Sequence, residues 1–438
     1  MKEKGFIFDY AKCVGCHACI IACYAENKTT PPLSFRQVKT ANPKKVPLSG
    51  FINLSIACNH CKDYPCSKAC PSGAYSQDKT TGAIIHNPTR CIGCKYCTWI
   101  CPFDAPRYNA HKGIVEKCNF CNQRLLEGDI PACAKLCPTG ALSFGDIDIK
   151  PTPDLPGFET VNVFPRMNLK RAEVMNSVPE MDMSCNQIQD NLFNDKIKRS
   201  SFDPLVLAEW PLVLFSFITA FITGWFLSSQ FNSSLFDNKL IFFSLALIGF
   251  LLSLFHLGKP FRALNSFINL KSSWLSREVF TYSLFIATSF IYLFVIKTDI
   301  FAYSALALGI LCLISLELVY SKIKLIDRIY VHSANSLLTA LLFAFVIGNQ
   351  IDFFILILCT KAILFFYSKE NLTAIMERSI QKSLRVVLGF MIPIYLIFIE
   401  KTGFILLIFL IVGELIDRFN YYEKIVIESN SKLNLIKN

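Results

Sequence analysis

Histidine and charge are both scarce. The 438 residues include six histidines, and 18% are charged, below the usual quarter. Only His256 and His332 lie near the apolar part of the chain, each at the end of a hydrophobic run. A b-type haem needs axial histidines within the membrane, so no haem is expected. The opening residues "MKEKGFIFDY" contain no apolar core, twin arginine or cleavage site, and no export signal is expected. The net charge of +11 comes without a dense basic run in the polar half, and in the apolar half Lys and Arg sit between hydrophobic runs. This argues against nucleic acid as a partner. No apolar run alternates as a barrel strand would, and no pterin-binding segment is recognisable.

Cysteine, by contrast, is abundant. Sixteen of the 19 fall between Cys13 and Cys137, while Cys185, Cys312 and Cys359 are scattered. Hydrophobic residues make up 53%, concentrated after about residue 204 in runs that suit membrane helices. The expected fold is an α+β tandem bicluster ferredoxin-like domain over 1–145, an extended tether over 146–203, and an all-α membrane domain over 204–438. Eight spans are expected, with cores near 210–227, 240–256, 279–296, 300–317, 333–350, 353–368, 386–399 and 403–417.

The sixteen cysteines form four groups. The first is Cys13, Cys16, Cys19 and Cys23, and the second is Cys58, Cys61, Cys66 and Cys70. The third is Cys91, Cys94, Cys97 and Cys101, and the fourth is Cys118, Cys121, Cys133 and Cys137. A proline follows each of the last three groups. Groups one and three share C-x2-C-x2-C-x3-C spacing at an offset of 78 residues, an internal duplication. Such close repeats make a poor disulfide framework. Zinc favours two separated C-x2-C knuckles. The run fits bacterial ferredoxins, in which three thiolates hold one 4Fe–4S cubane and the fourth reaches another. With group one exchanging its last cysteine with group four, and two with three, four clusters are expected. Their ligands are Cys13, Cys16, Cys19 and Cys137; Cys58, Cys61, Cys66 and Cys101; Cys91, Cys94, Cys97 and Cys70; and Cys118, Cys121, Cys133 and Cys23. Each set is complete, so the clusters are read as electron carriers. Gly15 and Gly93 are expected to let backbone N–H groups approach sulfur. His17, His60, His86 and His111 are read as surface or packing residues.

In the apolar half, His256, Arg262, Asn265, Arg277 and Glu278 are expected on one loop between the second and third spans. A quinol site needs hydrogen-bond partners and proton acceptors. His256 suits proton exchange near neutrality, and Glu278 is its proposed companion. Lys259, Arg262, Lys271 and Arg277 equally suit interfacial anchoring. Lys361, in mid-span, is expected to face protein or water. It either lines a proton path or packs against Glu317 or Glu414.

These motifs resemble a known family. Residues 5–145 resemble the four-cluster electron-transfer subunit of dimethyl sulfoxide reductase-type molybdoenzymes, through "LSFRQV", "CNHCKDYPCSKACPSGA", "CIGCKYCTWICPFDAPRYN" and "KCNFC". Residues near 208–285 resemble the membrane anchor of the same complexes, through "EWPLVLF", "HLGKPFRALNS" and "LSREV". The resemblance implies menaquinol as electron donor, four clusters as carriers, and a separate molybdopterin catalytic subunit as acceptor in anaerobic respiration. It also implies a place in the bacterial or archaeal plasma membrane, in contact with lipid and the quinone pool. Alternatives are the reversed current, an ion-translocating protein with a ferredoxin head, and a polyferredoxin with a mere anchor. With eight spans, fifteen Lys and Arg fall on the side of both termini and three on the other. The positive-inside rule then places the cluster domain in the cytoplasm.

Overall fold

The computed structural model describes residues 3–29, 31, 33–41, 52–149, 163–170, 210–231, 237–321, 332–367, 380–400 and 403–434. The chain divides into two compact units, Met1–Phe202 with Ser429–Asn438, and Asp203–Glu428.

The first unit is built from short elements: β1 (Glu3–Asp9), α1 (Ala18–Asn27), β2 (Gln37–Ala41), β3 (Ile52–Ile56), α2 (Pro65–Ala69), β4 (Tyr75–Gln77), β5 (Ile84–His86), α3 (Tyr96–Ile100), β6 (Arg107–Asn109), β7 (Ile114–Glu116), α4 (Asn122–Leu126), α5 (Ala132–Lys135), β8 (Leu142–Ile147) and β9 (Met167–Lys170). β1 is the centre of a three-stranded sheet, antiparallel to β8 and parallel to β9. β2–β3, β4–β5 and β6–β7 are antiparallel pairs. Alternation along β1 turns Phe6 and Phe8 inward, where they join Leu54, Phe120, Leu142 and Met167. α1 packs on α5, and α2 on α3. β9 lies within the stretch expected to be a plain tether. Four residues are too few to show a strand period, but Met167 pairs with Phe6, and Val163 and Met167 are buried. The rest of that stretch is largely outside the described residues.

The second unit is helical: α6 (Trp210–Ser228), α7 (Lys239–Phe255), a 3-10 helix (Pro260–Phe267), α8 (Trp274–Phe290) with a π turn (Ile291–Val295), α9 (Asp299–Ser321), α10 (Ser336–Ile347), α11 (Ile351–Tyr367), α12 (Ile380–Val386), a second π turn (Val387–Met391), α13 (Ile392–Phe398) and α14 (Phe404–Asn434). The Ser273 side chain caps α8, and Asn335 caps α10 by accepting from the N–H groups of Leu337 and Leu338. α6 is the most enclosed, packing on α7, α9 and α10. At Gly224 the backbones nearly touch, since a Cβ there would stand 2.2 Å from the Ala340 carbonyl oxygen. Hydroxyls on this helix satisfy themselves locally: Thr219 donates to the Phe215 carbonyl and Thr223 to that of Thr219, both at 2.8 Å.

Helical segments occupy all eight expected positions. Among the described residues, however, four are long and apolar enough to cross a membrane: Trp210–Ser228, Trp274–Val295, Asp299–Ser321 and Ile380–Phe398. A fifth is added if Lys239–Phe255 and Pro260–Phe267, bent by 100°, count as one span. α10 falls short because its 12 residues rise only about 18 Å, against a hydrocarbon core of about 30 Å.

Candidate functional site

The loops of the first unit bring the sixteen thiols together across groups. Cys13 has Cys16, Cys19 and Cys137 as its charged neighbours. Cys61 has Cys58, Cys66 and Cys101. Cys94 and Cys97 have Cys70 between them, with Cys91 beside Cys94. Cys118 has Cys23, Cys121 and Cys133. In each case three thiols from one group meet the last thiol of another. A cavity is lined by Cys58, Cys61, Cys66 and Cys101, with His60, Ile84, Phe103 and Lys117 around it. Among the described residues no three His, Cys, Asp or Glu side chains stand close enough to share one metal ion. The quartets surround a volume instead.

Electrostatics sharpens the point. Burial pushes the thiols of Cys23 and Cys101 up to about 12 and that of Cys121 to about 11. Burial, with the neighbouring thiols adding to it, lifts Cys61 and Cys118 well above the usual range. Four such thiolates are stable together only around positive charge. N–H groups also aim at sulfur, from Ala74 to Cys70 at 3.3 Å and from Leu142 to Cys137 at 3.4 Å. At Cys137 these donors outweigh burial and hold the thiol below its usual range. Four thiols and N–H donors to sulfur fit a 4Fe–4S cubane.

The backbone repeats with the cysteines. Gly15 and His17 have φ of 69° and 63°, and their counterparts Gly93 and Lys95 have 74° and 60°. This left-handed stretch wraps each loop before α1 and α3, and glycine adopts it without strain. Of the loop histidines, His17 and His111 are exposed and His86 is half-buried. His60 is fully buried, with its Nδ1 accepting from the Ile84 N–H at 2.8 Å.

In the second unit, His256 caps the C-terminus of α7, and Arg262 and Asn265 lie on the 3-10 helix. That helix packs on both α7 and α8. Arg277 and Glu278 were expected on the loop, but they are in the second turn of α8, because the Ser273 cap starts the helix earlier than the apolar run suggests. Glu278 is buried; the Cys312 thiol lies 3.7 Å from its carbonyl, and Tyr320 and Tyr422 are its electrostatic neighbours. Lys361 is fully buried and bonds Glu414 at 3.0 Å, Thr339 at 3.1 Å and the Ser333 carbonyl. All three of its donors thus meet acceptors. Its carboxylate is Glu414; Glu317 instead faces His332 at 3.2 Å. Arg385 joins Glu414 at 2.8 Å to Asp417 at 3.2 Å. Arg385 and Arg418, expected as loop charges, are buried helix residues. A sequence window sees their polarity but not their partners.

Comparison with known proteins follows the same division. Residues 51–147 match the 4Fe-4S dicluster domain, and residues 205–375 match the DMSO reductase anchor subunit. A polypeptide of the anaerobic dimethyl sulfoxide reductase of Escherichia coli (strain K12) is 41% identical over 154 residues, covering 33% of this protein and 75% of that one. The protein belongs to that iron–sulfur family. The thiosulfate reductase electron transfer subunit of Salmonella typhi is 39% identical over 145 residues, 32% of this protein and 75% of the relative. A polypeptide of the polysulfide reductase of Wolinella succinogenes is 39% identical over 150 residues, 33% and 78%. This protein is therefore an electron-transfer iron–sulfur subunit fused to an anchor of the DMSO reductase type, and it is membrane-integral.

Within this iron–sulfur half, sequence reasoning missed a second duplication. Groups two and four carry "CNHC" and "CNFC", then "CSKACPSGA" and "CAKLCPTGA". His60 and Phe120 hold equivalent places, both with positive φ, and their rings stack at 4.0 Å. Ser72 and Thr139 repeat a hydroxyl near Cys70 and Cys137. The unequal cysteine spacing hid this signal, although the flanking residues carry it.

Proposed function

We propose that this chain takes electrons from menaquinol in its membrane half and delivers them to a separate molybdopterin catalytic subunit. Four crossed quartets hold the carriers: Cys13, Cys16, Cys19 and Cys137; Cys23, Cys118, Cys121 and Cys133; Cys58, Cys61, Cys66 and Cys101; and Cys70, Cys91, Cys94 and Cys97. A cubane bound there takes up and passes on single electrons without protons. The observation that carries this reading is the crossed grouping of the thiols in a chain whose other half is apolar helix.

Neighbouring thiols support an order for the quartets. Cys19 borders Cys133, Cys118 borders Cys58, and Cys97 borders Cys66. The quartet containing Cys13 and Cys16 is the most accessible, with exposed Val14, Ile21 and Leu136 around it. An apolar rim at an exposed carrier suits docking of the catalytic subunit.

In the membrane half, quinol oxidation releases two protons that the carriers do not take. His256 and Glu278 accept them, while Arg262 and Asn265 orient the head group. Glu278 is suited to this because it is buried with no cationic side chain bonded to it among the described residues. The cluster half faces the cytoplasm of a prokaryotic plasma membrane. The segment between α7 and α8 holds Lys259, Arg262 and Lys271, against Lys239 at the opposite end of α7, and this bias supports the reading.

Two measurements test the reading. The anaerobically purified chain should hold about sixteen irons, four per four-thiolate site; zinc in their place would refute it. In the His256→Ala variant, reduction of the clusters by a menaquinol analogue should be lost while dithionite still reduces them. Unchanged quinol-driven reduction would remove His256 from the site.

A further inference from the structure

We propose that Arg36 is a fixed cation set between two of the quartets, and that it raises the reduction potential of the clusters held by Cys13, Cys16, Cys19 and Cys137 and by Cys23, Cys118, Cys121 and Cys133. The inference rests on the ligand sets proposed above.

Arg36 is 2% exposed, among the most completely buried side chains of the protein. Its guanidinium keeps its charge at any pH a protein survives. Its principal electrostatic neighbours are Cys133, Cys19, Cys118 and Cys23, which belong to both quartets. Among the described residues no carboxylate pairs with it. A buried cation without a counter-charge is costly, so its natural partner is negative charge at the sulfurs on either side.

Its attachments fix it there. Nη1 donates to the Ser55 carbonyl at 3.2 Å and to the Ser55 hydroxyl oxygen at 3.0 Å. The guanidinium carbon stands 4.6 Å over the Phe6 ring. Nε and Nη2 are buried and have no hydrogen-bond partner among the described residues. These two N–H groups are the donors left for cluster sulfur. Ser55 extends the effect. Its hydroxyl oxygen accepts from Arg36, which leaves its own proton for the Cys19 sulfur, 3.3 Å away. Cys19 thus receives a hydrogen bond polarised by a cation.

The consequence is electrostatic. Adding one electron to either cluster increases its negative charge by one; no bond forms or breaks and no proton moves. A cation and N–H donors at the sulfurs stabilise the reduced form, and the potential rises. The effect is selective. Arg36 is not among the principal neighbours of Cys61, Cys66, Cys94, Cys97 or Cys101. Beside Cys66 the cation is Lys117.

The test is a redox titration of the full chain, purified anaerobically and followed by electron paramagnetic resonance. Cys13→Ser and Cys118→Ser variants first assign the two signals. Arg36→Gln should move both of those potentials downward and leave the other two in place, with iron content unchanged. Arg36→Lys should restore most of the shift, because it keeps the charge. Ser55→Ala should lower only the potential of the cluster on Cys19. Full iron with all four potentials unmoved in Arg36→Gln, or all four moved equally, would overturn the proposal. If Arg36→Gln loses iron, Ser55→Ala decides: a shift confined to the Cys19 cluster supports the role of Arg36, and no shift refutes it. The iron content of the unmodified chain separately reads the ligand assignment, so the two failures are distinguishable.

Discussion

In the iron–sulfur half, buried polarity is organised around sulfur: thiols face one another in quartets, with the Arg36 guanidinium and the Lys117 ammonium among them. In the membrane half it is organised around nitrogen and oxygen, where Lys361 and Arg385 close on Glu414 and Asp417, with Ser333 and Thr339 bonded to Lys361 and to the two carboxylates. The second arrangement sets cation against carboxylate within the polypeptide, although the buried Arg385 Nε and Nη1 have no hydrogen-bond partner among the described residues. The first has no such internal charge match for its thiols, because facing thiolates repel until something positive stands among them. One half therefore depends on a component from outside the chain, and the other on its own side chains.

Removing iron should separate the halves most sharply. Treating the protein with a chelator under reducing conditions is expected to abolish cooperative folding of the first unit. Limited proteolysis should then cleave within residues 1–147 while the helical circular dichroism of the bundle persists. Equal loss in both would break the contrast.

The reciprocal experiment is Glu414→Ala. It strands Lys361 in a buried site and leaves Arg385 with Asp417 alone, and losing one partner of a buried pair costs about 3–5 kcal/mol. The bundle should unfold at lower temperature or denaturant concentration while iron content stays normal. A stability loss within measurement error would mean that the network contributes nothing.

A smaller effect is expected where two helices touch through backbone. Gly224→Ala puts a methyl against the Ala340 carbonyl and should destabilise the bundle by about 1–3 kcal/mol, the usual range for overpacking. Steric-trap or thermal measurements in detergent would read it. Iron and potentials should not move.

The smallest concerns acid. Arg166 binds Glu3 through two nitrogens, at 2.8 and 2.6 Å, and Lys62 lies at 3.6 Å. Burial pushes the Glu3 carboxyl up, but these two cations outweigh it and hold it below the usual carboxylate range. The folded value is depressed. The contribution is therefore full above the ordinary carboxylate pKa and is lost as pH falls through the folded one. Glu3→Gln should flatten the acid limb of stability in the iron–sulfur half by less than about 1 kcal/mol. The pH profile of the bundle should not respond.

Legibility also differs between the halves. The grouping of the thiols follows from local spacing, and short motifs such as "CVGCHAC" record it directly. Apolar runs likewise announced helices, because hydropathy needs no partner to be read. What escaped was long-range. Met167–Lys170 reads as featureless until β1 supplies its hydrogen bonds. Glu278 reads as a loop residue until Ser273 caps the helix that carries it.

By itself, then, the sequence determined where the thiols lie, how they group, and that a polar half precedes an apolar one. Each of these depends on residue type and spacing along the chain. Only the tertiary structure decided that Arg36 stands between two quartets, that Lys361 answers Glu414 rather than Glu317, and that His60 stacks on Phe120. Those pairings join residues 19 positions apart, for Arg36 and Ser55, to 97 apart, for Arg36 and Cys133. Their partners are chosen by burial, because a charge or ring removed from water must find its complement wherever the fold places it.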